Sequence, residues 1–107
     1  RRDYAAEGCA SVISLTGQLV CVDENEAATV LRHLDLHVAL TRAEPGCLHF
    51  TVTQTADPLV WTVHERFVDQ AAYDLHQARV QASEWGRATA GIKRDYVLAL
   101  DDDVRSL

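Results

Sequence analysis

The sequence predicts an α+β fold, a split βαβ sheet of four antiparallel strands with its helices on one face. Three observations predict it. Residues 12–22, 48–53 and 59–67 alternate between apolar and polar side chains, the period of a strand with one buried face. Two longer segments, each following an aspartate placed as an N-cap, read as helices. The resulting order is β-α-β-β-α-(α)-β, which is the ferredoxin-like arrangement.

The elements follow in order. Val12 to Val22 is the first strand, with Ile13, Leu15, Leu19 and Cys21 on one face and Ser14, Thr16 and Gln18 on the other. Asp23 with Glu26 three residues on is a capping-box pattern, and the helix it starts runs to about Thr41. Ala27, Leu31, Leu34 and Val38 form its expected buried stripe. Pro45-Gly46 ends it. Leu48, Phe50 and Val52 alternate with His49, Thr51 and Thr53 in the second strand. After a turn at Thr55-Ala56-Asp57-Pro58, Leu59, Trp61, Val63, Glu65 and Phe67 alternate with Val60, Thr62, His64 and Arg66. Asp69 caps a helix over roughly Gln70–Gln81. Ser83 starts a third, short helix that Gly91 ends, and Arg94–Leu100 is the last strand.

Helices on one face leave the other uncovered. That face carries Val12, Val20, Val22 and Val60 among Thr16, Thr51, Thr62, His49 and His64, too apolar to stay wet and too polar for a deep core. A second copy of the same sheet would cover it, so a homodimer is expected. If Ala56 and Asp57 centre the hairpin, His49 lies opposite His64 and Thr51 opposite Thr62; a register shift of two moves the partners and keeps the face.

Composition narrows the function classes. With 107 residues and 48% hydrophobic content the chain is one domain with a modest core, about 12–100, flanked by an expected flexible segment 1–9 and a frayed acidic tail at Asp101-Asp102-Asp103. A net charge of −6, with basic pairs only at Arg1-Arg2 and Lys93-Arg94, argues against a nucleic-acid partner. No apolar run approaches the roughly 18 residues of a membrane span, and no apolar signal core follows the two N-terminal arginines. Cys9, Cys21 and Cys47 are odd in number and form no CxxC pair, which fits a reducing cytoplasm and small buried thiols. His33 and His37 have the i,i+4 spacing of metal ligands, but no third ligand lies at useful spacing, so a solvated helix face and no metal are expected.

Thr41, Glu44-Pro45-Gly46-Cys47-Leu48, Phe50, Val52, Asp57-Pro58, Glu65, Ala72 and His76 follow one another at a recognisable spacing. In these residues the chain, from about Val12 to Leu98, resembles the antibiotic biosynthesis monooxygenase family of dimeric α+β barrels. The resemblance implies cofactor-independent oxygenation of quinols or polyketide-like phenols by dioxygen or, in one branch, haem degradation. Phe67 stands six residues before Tyr73, where some family oxygenases carry tryptophan, and Val63 stands where an asparagine is expected. The Asn-Trp-His set of the haem-degrading branch is not found in register, so haem is not expected.

The residues on their own terms fit such chemistry. A deprotonated electron-rich phenol can reduce dioxygen itself, so the protein must supply a base, a water-excluding pocket and donors for the oxyanion. Tyr73 and His76, three apart on one helix face, can point into one cleft and are the candidate catalytic pair. Trp61, Val63, Glu65 and Phe67 face the helices and are the candidate substrate-binding wall. Glu65, an acid on an apolar strand face, calls for a partner: Arg79, Arg87, or water at the strand's end. The same scaffold also suits a non-catalytic binder of small molecules. A purely structural dimer would not call for an aromatic wall facing Tyr73 and His76.

Overall fold

A computed structural model describes residues 11–101 of the chain. Its elements are β1 (Val12–Val20), α1 (Glu24–Arg42), β2 (Cys47–Gln54), β3 (Val60–Phe67), α2 (Gln70–Gln81), α3 (Glu84–Ala88) and β4 (Lys93–Asp101). The strands form one antiparallel sheet in the order β2-β3-β1-β4, the expected split βαβ topology. The segment 1–9 and Asp102-Asp103 of the acidic tail lie outside the described residues; Asp101, expected to fray with them, instead ends β4 and pairs with Val12. Among the described residues no helix is long and apolar enough to cross a membrane.

Capping fixes the helix starts. Asp23 accepts from Glu26 N at 3.0 Å, and Glu26 Oε1 reaches back to Val22 N at 2.8 Å. That bond takes Val22 out of the sheet, so β1 ends at Val20 and Val22 is 73% exposed, not part of the open face. Asp69 accepts from Ala72 N, and Ser83 from Gly86 N, as their spacing predicts.

Ile13, Leu19, Val30 and Phe67 are fully buried between the helices and the sheet, each contributing roughly 1.5–3 kcal/mol. Two expectations are corrected here. The buried stripe of α1 is Ala27, Val30, His37 and Thr41, with Leu34 half-buried beside it, and Leu31 is 59% exposed. The helix is rotated relative to the apolar pattern because His37 and Thr41, two polar residues, take inward positions. In β2 a bulge between Cys47 and His49 turns Leu48 outward, leaving it 52% exposed.

The hairpin takes the register shifted by two: Thr51 pairs with His64, Thr53 with Thr62 and His49 with Arg66. The imidazoles of His49 and His64 still meet diagonally, their ring centres 4.6 Å apart. Among the described residues no helix covers this face, where Thr16, Thr62 and Val97 are exposed and Val20 and Val60 are half-buried; Val12, at its margin, is buried.

Candidate active site

One rung of the sheet runs Val52–Val63–Gly17–Tyr96 across β2, β3, β1 and β4. Val52, Val63 and Tyr96 line a cavity under the helices, and Gly17 contributes no side chain to it. Gly17 has φ 151°, a backbone conformation that other residues rarely adopt, and a Cβ there would meet Asp95 O at 2.1 Å. Leu15, Phe50, Glu65 and Arg94 complete the sheet side. Tyr73, His76, Gln77 and Val80 of α2 close the cavity, with His37 of α1 and Trp85 of α3. Its volume is about 160 Å³, the scale of the ~150 Å³ cavity that holds one benzene ring.

His76 is held from behind. Its Nδ1 lies 3.0 Å from Glu44 Oε1 and 3.2 Å from Oε2. Glu44 also accepts from Arg79 Nε, and Arg79 Nη2 donates to Thr41 Oγ1 at 2.8 Å. A carboxylate paired with a guanidinium accepts, so Nδ1 is the donor and Nε2 is the bare acceptor of the neutral ring. Burial holds the His76 pKa below its ordinary value; Glu44 opposes that shift without overcoming it. The ring packs on Phe67 at 4.7 Å between centres, which fixes its plane.

Nε2 of His76 lies 3.7 Å from Glu65 Oε1, beyond hydrogen-bond distance. Glu65 is only 7% exposed, and Oε1 has no hydrogen-bond partner. Burial, and then the Glu44 charge, push its carboxyl up to about 7 against the pull of Arg94. The expected arginine partners bond elsewhere, Arg79 through Nε to Glu44 and through Nη2 to Thr41, with its Nη1 buried and unpartnered, and Arg87 to Ala82 O. Burial also raises the phenols, Tyr73 above its ordinary value and Tyr96 to about 12, so both remain neutral donors.

His37 corrects the expectation of a solvated face. It is 5% exposed and stacks on Trp85, ring centres 4.4 Å apart and planes 3° from parallel. Burial, with His76, Arg79 and Arg94 nearby, lowers its pKa to about 3. His33 stays on the half-exposed side, and among the described residues no group of three or more His, Cys, Asp or Glu is placed to hold a metal ion.

Of the residues singled out in the sequence, His76, Tyr73, Val63 and Glu65 meet at the cavity. Trp61 sits in the core with Leu19 and Cys21, and Phe67 stands behind the wall against the Tyr73 and His76 rings. Sequence reasoning missed the roles of Glu44, His37 and Arg79. Glu44 was visible within the Glu-Pro-Gly-Cys motif, but nothing local announces that it meets a histidine 32 positions away.

The model of the antibiotic biosynthesis monooxygenase family matches residues 17–88. A crystal structure of an antibiotic biosynthesis monooxygenase shares 25% identity over 84% of this chain and 96% of its own, with a TM-score of 0.63. SnoaB, a cofactor-independent oxygenase from Streptomyces nogalater, superposes with a TM-score of 0.69 at 13% identity, covering 84% of this chain and 92% of its own. PA3566 from Pseudomonas aeruginosa gives 0.63 at 22% identity over 86% and 93%. No curated protein matches the chain in sequence.

Proposed function

From the premise that the chain belongs to the antibiotic biosynthesis monooxygenase family, we propose that it is a cofactor-independent monooxygenase, oxidising a small electron-rich phenol or quinol with dioxygen as a homodimer. The observation that carries this reading is the Glu44–His76 pair, which leaves a neutral imidazole with a bare Nε2 at a cavity of one-ring size.

In this reading His76 Nε2 takes the phenol proton, and Glu44 stabilises the imidazolium that forms. The phenolate is the reductant. It passes electrons to dioxygen, one oxygen atom joins the ring carbon para to the phenol, and that carbon's hydrogen leaves as a proton. The second oxygen leaves as water, so a phenol with a para C–H and O₂ become a quinone and H₂O. All four electrons come from the substrate. Tyr73, Tyr96 and Gln77 supply neutral donors for the developing oxyanion, and Val52, Val63 and Phe50 keep water away.

A second reading, binding without turnover, draws support from Phe67 and Val63, which stand where some family oxygenases carry tryptophan and asparagine. Oxygen uptake against a panel of quinols and hydroxyanthrones separates the two. Uptake with quinone formation supports the oxygenase. Saturable binding with no uptake from any member of the panel supports the binder.

A further inference from the structure

We infer that Glu65 is a second catalytic residue, the acid that delivers a proton to the departing oxygen when the O–O bond breaks, and that His76 reprotonates it. The inference rests on the oxygenase reading and deepens it. Geometry carries it. Glu65 lines the cavity, and its Oε1 is buried, without a hydrogen-bond partner and 3.7 Å from the bare Nε2 of His76. A carboxyl kept only for structure would be paired. Here Arg79 serves Glu44, and Arg94, which faces the same cavity, donates to Thr89 and Ile92.

The charged and titratable groups around Glu65 come from every packed element that carries one. They are His37 of α1, Glu44 after it, Cys47 of β2, Tyr73 and His76 of α2, and Arg94 and Tyr96 of β4. Its partners on the same rung, Phe50 and Leu15, are apolar. Burial and the Glu44 charge therefore keep a large share of Glu65 protonated near neutral pH.

The protons then balance. His76 takes the phenol proton, the anion joins dioxygen through a new C–O bond, and the terminal oxygen recovers that proton to give a hydroperoxide. His76 next removes the hydrogen from the same carbon, and that electron pair becomes the new C=O bond. The O–O bond breaks, and the departing OH takes the Glu65 proton and leaves as water. Glu65, now a carboxylate, regains a proton from the His76 imidazolium across the short gap. Dioxygen is the oxidant and the substrate the only reductant.

Glu65→Gln keeps the shape and removes the proton. In the full chain with a hydroxyanthrone as probe, wild-type quinone formation is expected to fall on the alkaline side near pH 7. For Glu65→Gln we expect quinone formation about 10²–10⁴-fold slower at pH 6, hydroperoxide in acid-quenched samples, and no alkaline limb. Glu65→Asp should recover part of the rate and the limb. A Glu65→Gln enzyme at the wild-type rate, or slower with the alkaline limb unchanged, would overturn the assignment while leaving the oxygenase intact. Absence of oxygen uptake by the wild type would overturn both.

Discussion

Glu44 and His76 lie 32 positions apart in sequence and 3.0 Å apart in space, joining the turn after α1 to the middle of α2. The contact does two jobs. It ties α2 to the end of α1, and it fixes the tautomer that presents Nε2. Glu44→Gln should lose the charge while keeping an acceptor. We expect it to lower stability by about 1.5–3 kcal/mol, the range for hydrogen bonds to charged groups, in urea titrations. If the protein turns over substrate, the same change should slow it by less than loss of the imidazole does. Unchanged stability and rate would mean that the pair is incidental.

Removal of the imidazole is the sharpest test of the site. His76→Ala should reduce turnover by about two to four orders of magnitude. Tyr73→Phe should cost less, because the ring and its edge contact with Phe67 persist and one oriented hydrogen bond is lost. A His76→Ala protein with near-normal turnover would remove the base from the mechanism. In a protein that only binds, both changes should shift affinity modestly.

His37 and Glu65 make opposite contributions to stability against pH. The His37 pKa falls from 6.5 to about 3 on folding, so its contribution is full above pH 6.5 and is lost as pH falls toward 3. The Glu65 pKa rises from 4.5 to about 7, so its contribution is full below pH 4.5 and is lost as pH rises toward 7. Between 4.5 and 6.5 the two slopes oppose each other. His37→Phe should therefore flatten the acid side between pH 4.5 and 3. Glu65→Gln should be more stable than wild type at pH 8, where the wild type buries an ionised carboxyl. Urea midpoints across pH 3–8 read both effects, and parallel curves for wild type and variants would refute the assignments.

The uncovered sheet face sets the expected assembly. Sedimentation at micromolar concentration should give about twice 11.9 kDa. A stable monomer with the His49, Thr51, Thr62 and His64 face exposed would end the proposal of a symmetric dimer through this face.

The same face should make association depend on pH. Burial, His49 and Arg66 hold the His64 pKa below its ordinary value, and the two imidazoles sit 4.6 Å apart. Protonation there places like charges in the interface, so dimerisation should weaken below about pH 6. His64→Gln should remove most of that dependence. Equal dissociation constants at pH 7 and pH 5 would contradict it.

Gly17 offers a test of the cavity floor. Its φ of 151° and the Asp95 carbonyl leave no space for a methyl group. Gly17→Ala should destabilise the protein by roughly 1–3 kcal/mol, read as a lower urea midpoint. An unchanged midpoint would mean that the strand bends without cost.

The sequence by itself determined the element order, the sheet topology and the caps at Asp23, Asp69 and Ser83, because these depend on side-chain periodicity and on hydrogen bonds within four residues. It also placed Trp61, Val63, Glu65 and Phe67 on the buried face of β3, since alternation along an extended chain fixes which side each residue takes. Tertiary structure alone decided the rest. The rotation of α1 turned His37 inward and Leu31 outward, because a stack on Trp85 and the Thr41–Arg79 bond outweigh the apolar pattern of the helix. The bulge at Cys47/His49 reversed Leu48, and the hairpin register moved by two, because pairing across strands is set by the turn and the ladder together. The Glu44–His76–Glu65 line joins a turn, a helix and a strand. Its distances arise from how those elements pack, and no local pattern encodes them.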